Sequence, residues 1–392
     1  MASSLNFYPY RRAAFSLVEL LVSTIVLLII LIVLFQLMAG LGGIWRSSRG
    51  KLSGFQNARS AFSTLNRTLS RATLNAYSDY VDVAEKYRTV SNAATFVPAK
   101  FMRASELHFI SGPAAQGTAA SIIVPKGDTT TNPGDAVFFQ ASTGYTDDSG
   151  LHDLRRTVNS MGFYIQYGDN DDSILPKWLK PLAGASKRFR LLQIIEPTED
   201  LGVYQSTALG KYDLSWLGAF AAKEDASAAR PRVRPRVLAE DIPLLIVRPR
   251  LSPQDEKAIA SQLGSTFSDA TKGSILCPNY HYDSRAWAPD YPEGQRVKAA
   301  AVPAVRANVM RNQLPPIIDL VMVSVDQNSL AHFNQTSDLP PPPLRVPTGL
   351  FSDSSKLEDD LAIYCKQLVD AKIRFRVFRT AVPVLGAKWT NN

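Results

Sequence analysis

Between Leu17 and Phe35 the chain carries one ionisable side chain, Glu19, and two hydroxyls, Ser23 and Thr24; every other side chain is aliphatic or aromatic. No face of such a helix is polar enough to lie on a water-soluble domain. A bilayer core takes about 20 apolar residues in a helix, and the stretch Leu20–Ile44 supplies them. A secretory signal has a shorter apolar core, of about 7–15 residues, closed by a small-residue cleavage site; this run is longer and has no A-x-A site at its far end. A twin-arginine signal built on Arg11 and Arg12 is the other export reading. The uncharged residues after that pair and the acid inside the apolar run fit it poorly.

Glu19 is the oddity. A carboxylate costs roughly 2.5–3.5 kcal/mol at mid-bilayer and less toward the interface, so one kept there points to a partner. The residues ahead of it read Arg11-Arg12-Ala13-Ala14, then Phe15-Ser16-Leu17-Val18-Glu19. This resembles the class III signal of type IV prepilins. The resemblance implies that a membrane-bound prepilin peptidase cuts between Ala14 and Phe15 on the cytoplasmic side and methylates the new amine of Phe15. It further implies that Glu19 pairs with the N-terminal amine of a neighbouring subunit during assembly. The physics is coherent: carboxylate and ammonium attract strongly in low dielectric, while either alone is penalised. The chain departs from the family pattern in having Ala14 where Gly is preferred, so slower cleavage is expected.

Charge alone leaves orientation open, because Arg11 and Arg12 precede the span and Arg46, Arg49 and Lys51 follow it. The leader motif implies a cytoplasmic N-terminus and a single-pass protein of the inner, cytoplasmic membrane whose larger part is periplasmic or otherwise extracytoplasmic. Three regions are predicted: a leader over 1–14, a long helix over 15–77 that spans the membrane to about residue 44, and a globular domain over 78–392.

Past the span, Phe55, Ala58, Phe62, Leu65 and Leu69 recur at spacings of three and four, with Arg59, Asn66, Arg67 and Ser70 between them. That is one apolar stripe with a polar back. Gly40, Gly42, Gly43, Gly50 and Gly54 each weaken a helix by about 1 kcal/mol relative to Ala, which predicts a kink or hinge. Farther on, strands are predicted at Glu106–Ser111, Ser121–Val124, Ala136–Gln140, Met161–Tyr167, Phe189–Ile195, Val237–Arg250, Ile317–Asp326 and Ile373–Leu385. Helices are predicted near Tyr212–Ala222, Pro253–Leu263 and Ser355–Ala371, the last opened by a capping box of Ser355 and Glu358. The fold class is α+β, a long N-terminal helix packed on mainly antiparallel sheet.

Several stretches carry a further resemblance. Val237–Arg248, Trp287 in a loop and the proline-introduced run Leu314–Asp326 resemble J-type minor pseudopilins of type II secretion. More of the chain is similar to the Verru_Chthon cassette protein C family. The matching stretches are Leu69–Asn75 with Asp79-Tyr80, Met161–Gly168, Ile246–Pro253, Asn279–Trp287 and Gly386–Trp389. That likeness implies no catalytic activity, only the pilin-like signal and a setting beside other pilin-like proteins.

The sequence assembles no recognisable catalytic motif. His108, His152, His281 and His332 fall in no metal-ligand spacing and read as surface residues. There is no G-x-S-x-G elbow and no phosphate-binding G-x-x-x-x-G-K-[ST] loop. Gly127–Gly134 reads as a turn, and Asp359 and Asp360 face apart on one helix. Asp169, Asp171 and Asp172 form an oxygen-rich run, a weak calcium candidate set against a plain polar turn. Cys277 and Cys365 leave two readings open, one disulfide or two separate thiols.

With a formal charge of +8 the chain tolerates anionic lipid or DNA without requiring either. Arg230, Arg232, Arg234 and Arg236 alternate along one extended segment and could grip headgroups, an acidic partner or DNA; a basic linker is the bland reading. Leu339–Leu344 is a polyproline spacer or docking ligand. Together these resemblances imply a non-enzymatic minor pseudopilin without cofactor, whose expected partners are the prepilin peptidase, other pilin-like subunits and the lipid bilayer. The alternatives are a pilin-like subunit that binds a ligand or DNA, and a membrane-anchored domain of other activity.

Overall fold

The fold is organised by what α1 (Leu17–Leu69) does with its apolar side chains. The structure is a computed structural model that describes residues 17–114, 134–151, 153–154, 156–168, 187–204, 215–217, 235–263, 276–277, 279–285, 310–330, 333, 337 and 339–387. Two compact units divide at Leu52 and Ser53. In the first, the described side chains of α1 are exposed throughout, from Leu17 to Gln36. In the second, Ala58, Ala61, Leu65 and Leu69 are buried and Phe62 is partly so, which bears out the predicted stripe. The helix ends at Leu69, short of the predicted residue 77: the Ser70, Arg71 and Ala72 amides close a last turn on the Asn66, Thr68 and Leu69 carbonyls.

Among the described residues eleven strands follow, every pair antiparallel. β1 (Tyr77–Val81) and β2 (Lys100–Ala104) form a two-stranded ribbon. The larger sheet runs in the order β7-β6-β5-β4-β3-β9. Its members are β3 (Ile110–Pro113), β4 (Asp135–Ser142), β5 (Val158–Gly168), β6 (Arg188–Ile195), β7 (Arg236–Glu240) and β9 (Tyr282–Asp283). A three-stranded sheet is ordered β11-β10-β8, from β8 (Leu244–Arg250), β10 (Ile317–Val325) and β11 (Phe375–Pro383). The further α-helices given in full among the described residues are α2 (Pro253–Leu263), α3 (Gln327–Leu330) and α4 (Leu357–Asp370).

Strand alternation gives the large sheet two buried faces. Val137, Phe139, Phe163 and Ile165 join α1, β8, β10 and α4 in the main core, while Phe138, Tyr164, Leu192 and Ile194 form a second core with Trp216 and Leu217. The single strand expected over Val237–Arg250 is two strands. Asp241 sits at φ 60° and breaks the ladder, and Pro243 follows. The Asp241 amide is bonded by the Phe189 carbonyl and its carbonyl by the Val325 amide, so this corner ties the two sheets together.

Two outward backbone groups on the free side of β8 are bonded. Its outward amide at Val247 donates to the Asp135 Oδ2 at 2.7 Å, and its outward carbonyl at Pro249 accepts from the Cys277 thiol at 2.7 Å. Gly134 lies so close that a Cβ there would meet the Leu245 oxygen at 2.3 Å, and its φ of 80° already favours glycine. Burial with only that amide bond in compensation pushes the Asp135 carboxyl up to about 8.

The sign follows from linkage. An unfolded Asp ionises near pH 3.8, whereas the folded one keeps its proton to about pH 8, so this group's contribution to stability falls as pH rises between those values. Asp135→Asn keeps an acceptor for the Val247 amide and removes the titration. It is expected to be more stable than the parent by up to about 4 kcal/mol at pH 7, converging with it near pH 4, as read by denaturant unfolding at each pH.

Candidate functional site

The ends of α1's apolar stretch and the buried polar groups of the large sheet are the two places where chemistry-bearing residues concentrate. In the first, Leu17–Gln36 has a mean hydropathy of 3.1 and no buried share, which meets the length and composition of a membrane anchor or of a signal sequence. The two hydroxyls satisfy themselves on the helix: Ser23 donates to the Glu19 carbonyl at 2.6 Å and Thr24 to the Leu21 carbonyl at 2.8 Å. Glu19 lies in the first turn, where a carboxylate also complements the helix dipole. Ala14 and Phe15 lie outside the described residues.

The second place was not foreseen. His108 and His281, read from sequence as surface residues, are both fully buried. His108 precedes β3, and its Nε2 lies 2.7 Å from Asp283 Oδ1 at the end of β9. The Trp216 indole donates to His108 Nδ1 at 2.9 Å, which fixes that nitrogen as acceptor and leaves Nε2–H to donate to Asp283. Asp283 Oδ1 also accepts the Arg285 amide at 2.7 Å, and the buried Arg285 guanidinium donates to the Glu106 carbonyl.

His281 has no hydrogen-bond partner on either ring nitrogen among the described residues. Its burial, only partly offset by the Asp283 charge and reinforced by neighbouring His108, lowers its pKa to about 4. The signal for this group was in the sequence: His281, Asp283 and Arg285 alternate, as residues sharing one side of an extended segment must. His108 could not be joined to them, because 175 residues separate it from Asp283.

Chemically this cluster is closed. His108, His281, Asp283 and Arg285 are all 1% exposed or less, and among the described residues no group of three metal-ligating side chains is assembled. Its effect is to lock the short β9 onto β3 through side chains where only two residue pairs join the strands.

The remaining sequence candidates scatter. Arg236 opens β7 opposite Gln193 and is exposed, while Arg230, Arg232 and Arg234 lie outside the described residues. Asp169, Asp171, Asp172, His152, His332 and Trp287 also lie outside them. Cys277 and Cys365 form no disulfide: the first thiol is buried against the Pro249 carbonyl, and the second sits half-exposed on α4.

The polyproline stretch is no free docking ligand. Pro340, Pro341 and Leu344 are buried, and Gln367 and Tyr364 of α4 donate to the Pro343 and Leu344 carbonyls. The capping box is also replaced. Asp353 caps the short turn Ser354–Lys356, and Glu358 pairs with Arg379.

Comparison with protein-family models, curated proteins and solved structures returns no match. The functional reading therefore rests on the chain's own residues.

An orphaned buried imidazole makes its own prediction. The folded pKa of His281 is depressed from 6.5 to about 4, so its contribution is intact above pH 6.5 and is lost as pH falls toward 4. His281→Leu removes two unsatisfied nitrogens and should leave stability at pH 7 equal or higher. The drop in unfolding free energy between pH 6.5 and pH 4 should shrink by about 3 kcal/mol in a denaturant titration.

Proposed function

We propose that this chain is a pilin-like, membrane-anchored subunit, a minor pseudopilin that joins or primes an envelope-spanning secretion or pilus-like filament. One observation carries the reading. A fully exposed apolar helix, with a single carboxylate in its first turn, follows the basic, small-residue leader Arg11-Arg12-Ala13-Ala14 and an aromatic residue at Phe15. A signal sequence removed whole would need no carboxylate at Glu19. An anchor that only tethers would be better without one.

In this reading the peptidase cuts before Phe15 and the freed amine, methylated, belongs to the mature subunit. Glu19 then accepts the amine of an adjoining subunit inside the bilayer, where the pair is strong and each unpaired member is costly. The exposed helix lies in lipid until assembly and the N-terminus stays cytoplasmic. The folded unit beyond Ser53 is extracytoplasmic and acts by binding, not by catalysis. A mass of 43.0 kDa suits a low-copy tip or initiation subunit better than a repeated shaft subunit.

Glu19→Ala separates anchoring from assembly. The variant should remain in the membrane fraction at parental levels, since removing a charge only favours insertion. Its yield of cross-linked adducts to neighbouring subunits, after treatment of intact cells with a membrane-permeant cross-linker, should fall at least tenfold. Undiminished adducts from the variant would remove Glu19 from any role in assembly.

A further inference from the structure

The two edges of the three-stranded sheet are treated differently, and the difference points to a partner. Alternation along an antiparallel ladder decides which backbone groups of an edge strand face outward. The Val384 amide bonds the Pro316 carbonyl and the Asp326 amide bonds the Arg374 carbonyl. The even-numbered residues of β11 therefore face β10, and Phe375, Val377, Arg379 and Ala381 turn their amides and carbonyls away from it. Among the described residues none of these outward groups has a partner. Pro383, next in the outward series, has no amide to leave unpaired. The opposite edge, β8, is closed by Asp135, Gly134 and Cys277, and its own Pro249 also lacks an amide.

Edge strands of this length are usually blunted or covered. β11 is nine residues long and fully laddered to β10, without a bulge. What it carries is positive charge. Arg374 and Arg376 are exposed and share the face on which Arg376 lies 5.7 Å over the Phe378 ring. Neither has an ion-pair partner among the described residues, whereas Arg379, on the opposite face, is already matched by Glu358 at 2.8 Å. Two unmatched cations two residues apart on one face are complementary to two carboxylates at the same spacing in an added strand.

We infer that β11 is a docking edge for an extended acidic segment of a partner protein, which adds as a fourth strand to the β11-β10-β8 sheet. Backbone bonds to Phe375, Val377, Arg379 and Ala381 supply affinity, and carboxylates at alternating positions facing Arg374 and Arg376 supply selectivity. A second copy of this chain is the disfavoured occupant. Pairing β11 with itself would bring together Arg374, Arg376 and Arg379 from both copies, with only Glu358 of each to offset them. The inference needs only the folded unit and stands apart from the pilin-like reading.

The test uses the full chain in detergent micelles and a labelled seven-residue peptide, acetyl-Val-Glu-Val-Glu-Val-Thr-Val-amide, followed by fluorescence anisotropy. Its controls carry Lys for Glu, or N-methyl groups on alternate backbone amides. The Glu peptide should bind at least tenfold more tightly than either control. Val377→Pro and Ala381→Pro each remove one outward amide and no ladder bond, so both should fold, as circular dichroism will verify, and weaken binding at least fivefold. Arg376→Glu should reverse the preference between the Glu and Lys peptides.

Three results would overturn the inference. The first is no binding of the Glu peptide. The second is binding indifferent to N-methylation and to both proline variants, which marks charge attraction alone. The third is self-association of the parent chain that Val377→Pro abolishes, which assigns the edge to a second copy.

Discussion

One helix has two apolar surfaces that must be satisfied by different means, and everything else in the chain follows from that constraint. In the second unit, Ala58, Ala61, Leu65 and Leu69 are withdrawn from water into the main core. Burying a leucine-sized side chain is worth roughly 1.5–3 kcal/mol, enough for this stripe to organise a core. In the first unit, the large apolar side chains from Leu17 to Phe35 are exposed. Leaving that many large aliphatic side chains in water is costly, and the stretch meets the length and composition of a membrane anchor or of a signal sequence. A carboxylate at Glu19 within this apolar surface then becomes meaningful, because its cost demands a return.

The folded unit distributes polar groups by the opposite logic. Three of its acids sit at junctions between elements. Asp135 closes the β8 edge, Asp241 turns the chain from one sheet to the other, and Asp283 joins β9 to His108. Each is held by a partner far away in sequence, and such long-range bonds fix a single arrangement of sheets at some expense in desolvation. Rigidity of this kind suits a scaffold that presents a surface. The surface it presents most distinctively is the open edge of β11.

Local pattern made much of this legible. Pro253–Leu263 is a helix over the predicted residues, and six strands fall within a few residues of their predicted positions, because alternation and Pro or Gly punctuation are local signals. Val237–Arg250 misled because an apolar run hides a corner that depends on one residue, Asp241, adopting positive φ. β1 and β2 were missed for a different reason. They are held by a cross-strand pair, Tyr80 and Phe101 with tilted rings whose centroids lie 4.0 Å apart, while Tyr77 is bonded to Glu106, and those contacts have no period.

The His108–Asp283 pair and the packing of Pro340–Leu344 against α4 were hidden by sequence distance. Composition suggested exposure for both, and tertiary partners overrode it. The proposed leader is the reverse case, since that reading lies in the order of residues and not in their contacts.

Intact-mass analysis of the chain isolated from native membranes tests the central claim most directly. The account requires a protein that begins at Phe15, carries one methyl group on its amine and remains in the membrane pellet after alkaline carbonate washing. A chain that retains Met1, or one that begins beyond the apolar stretch and is released by the wash, would contradict it.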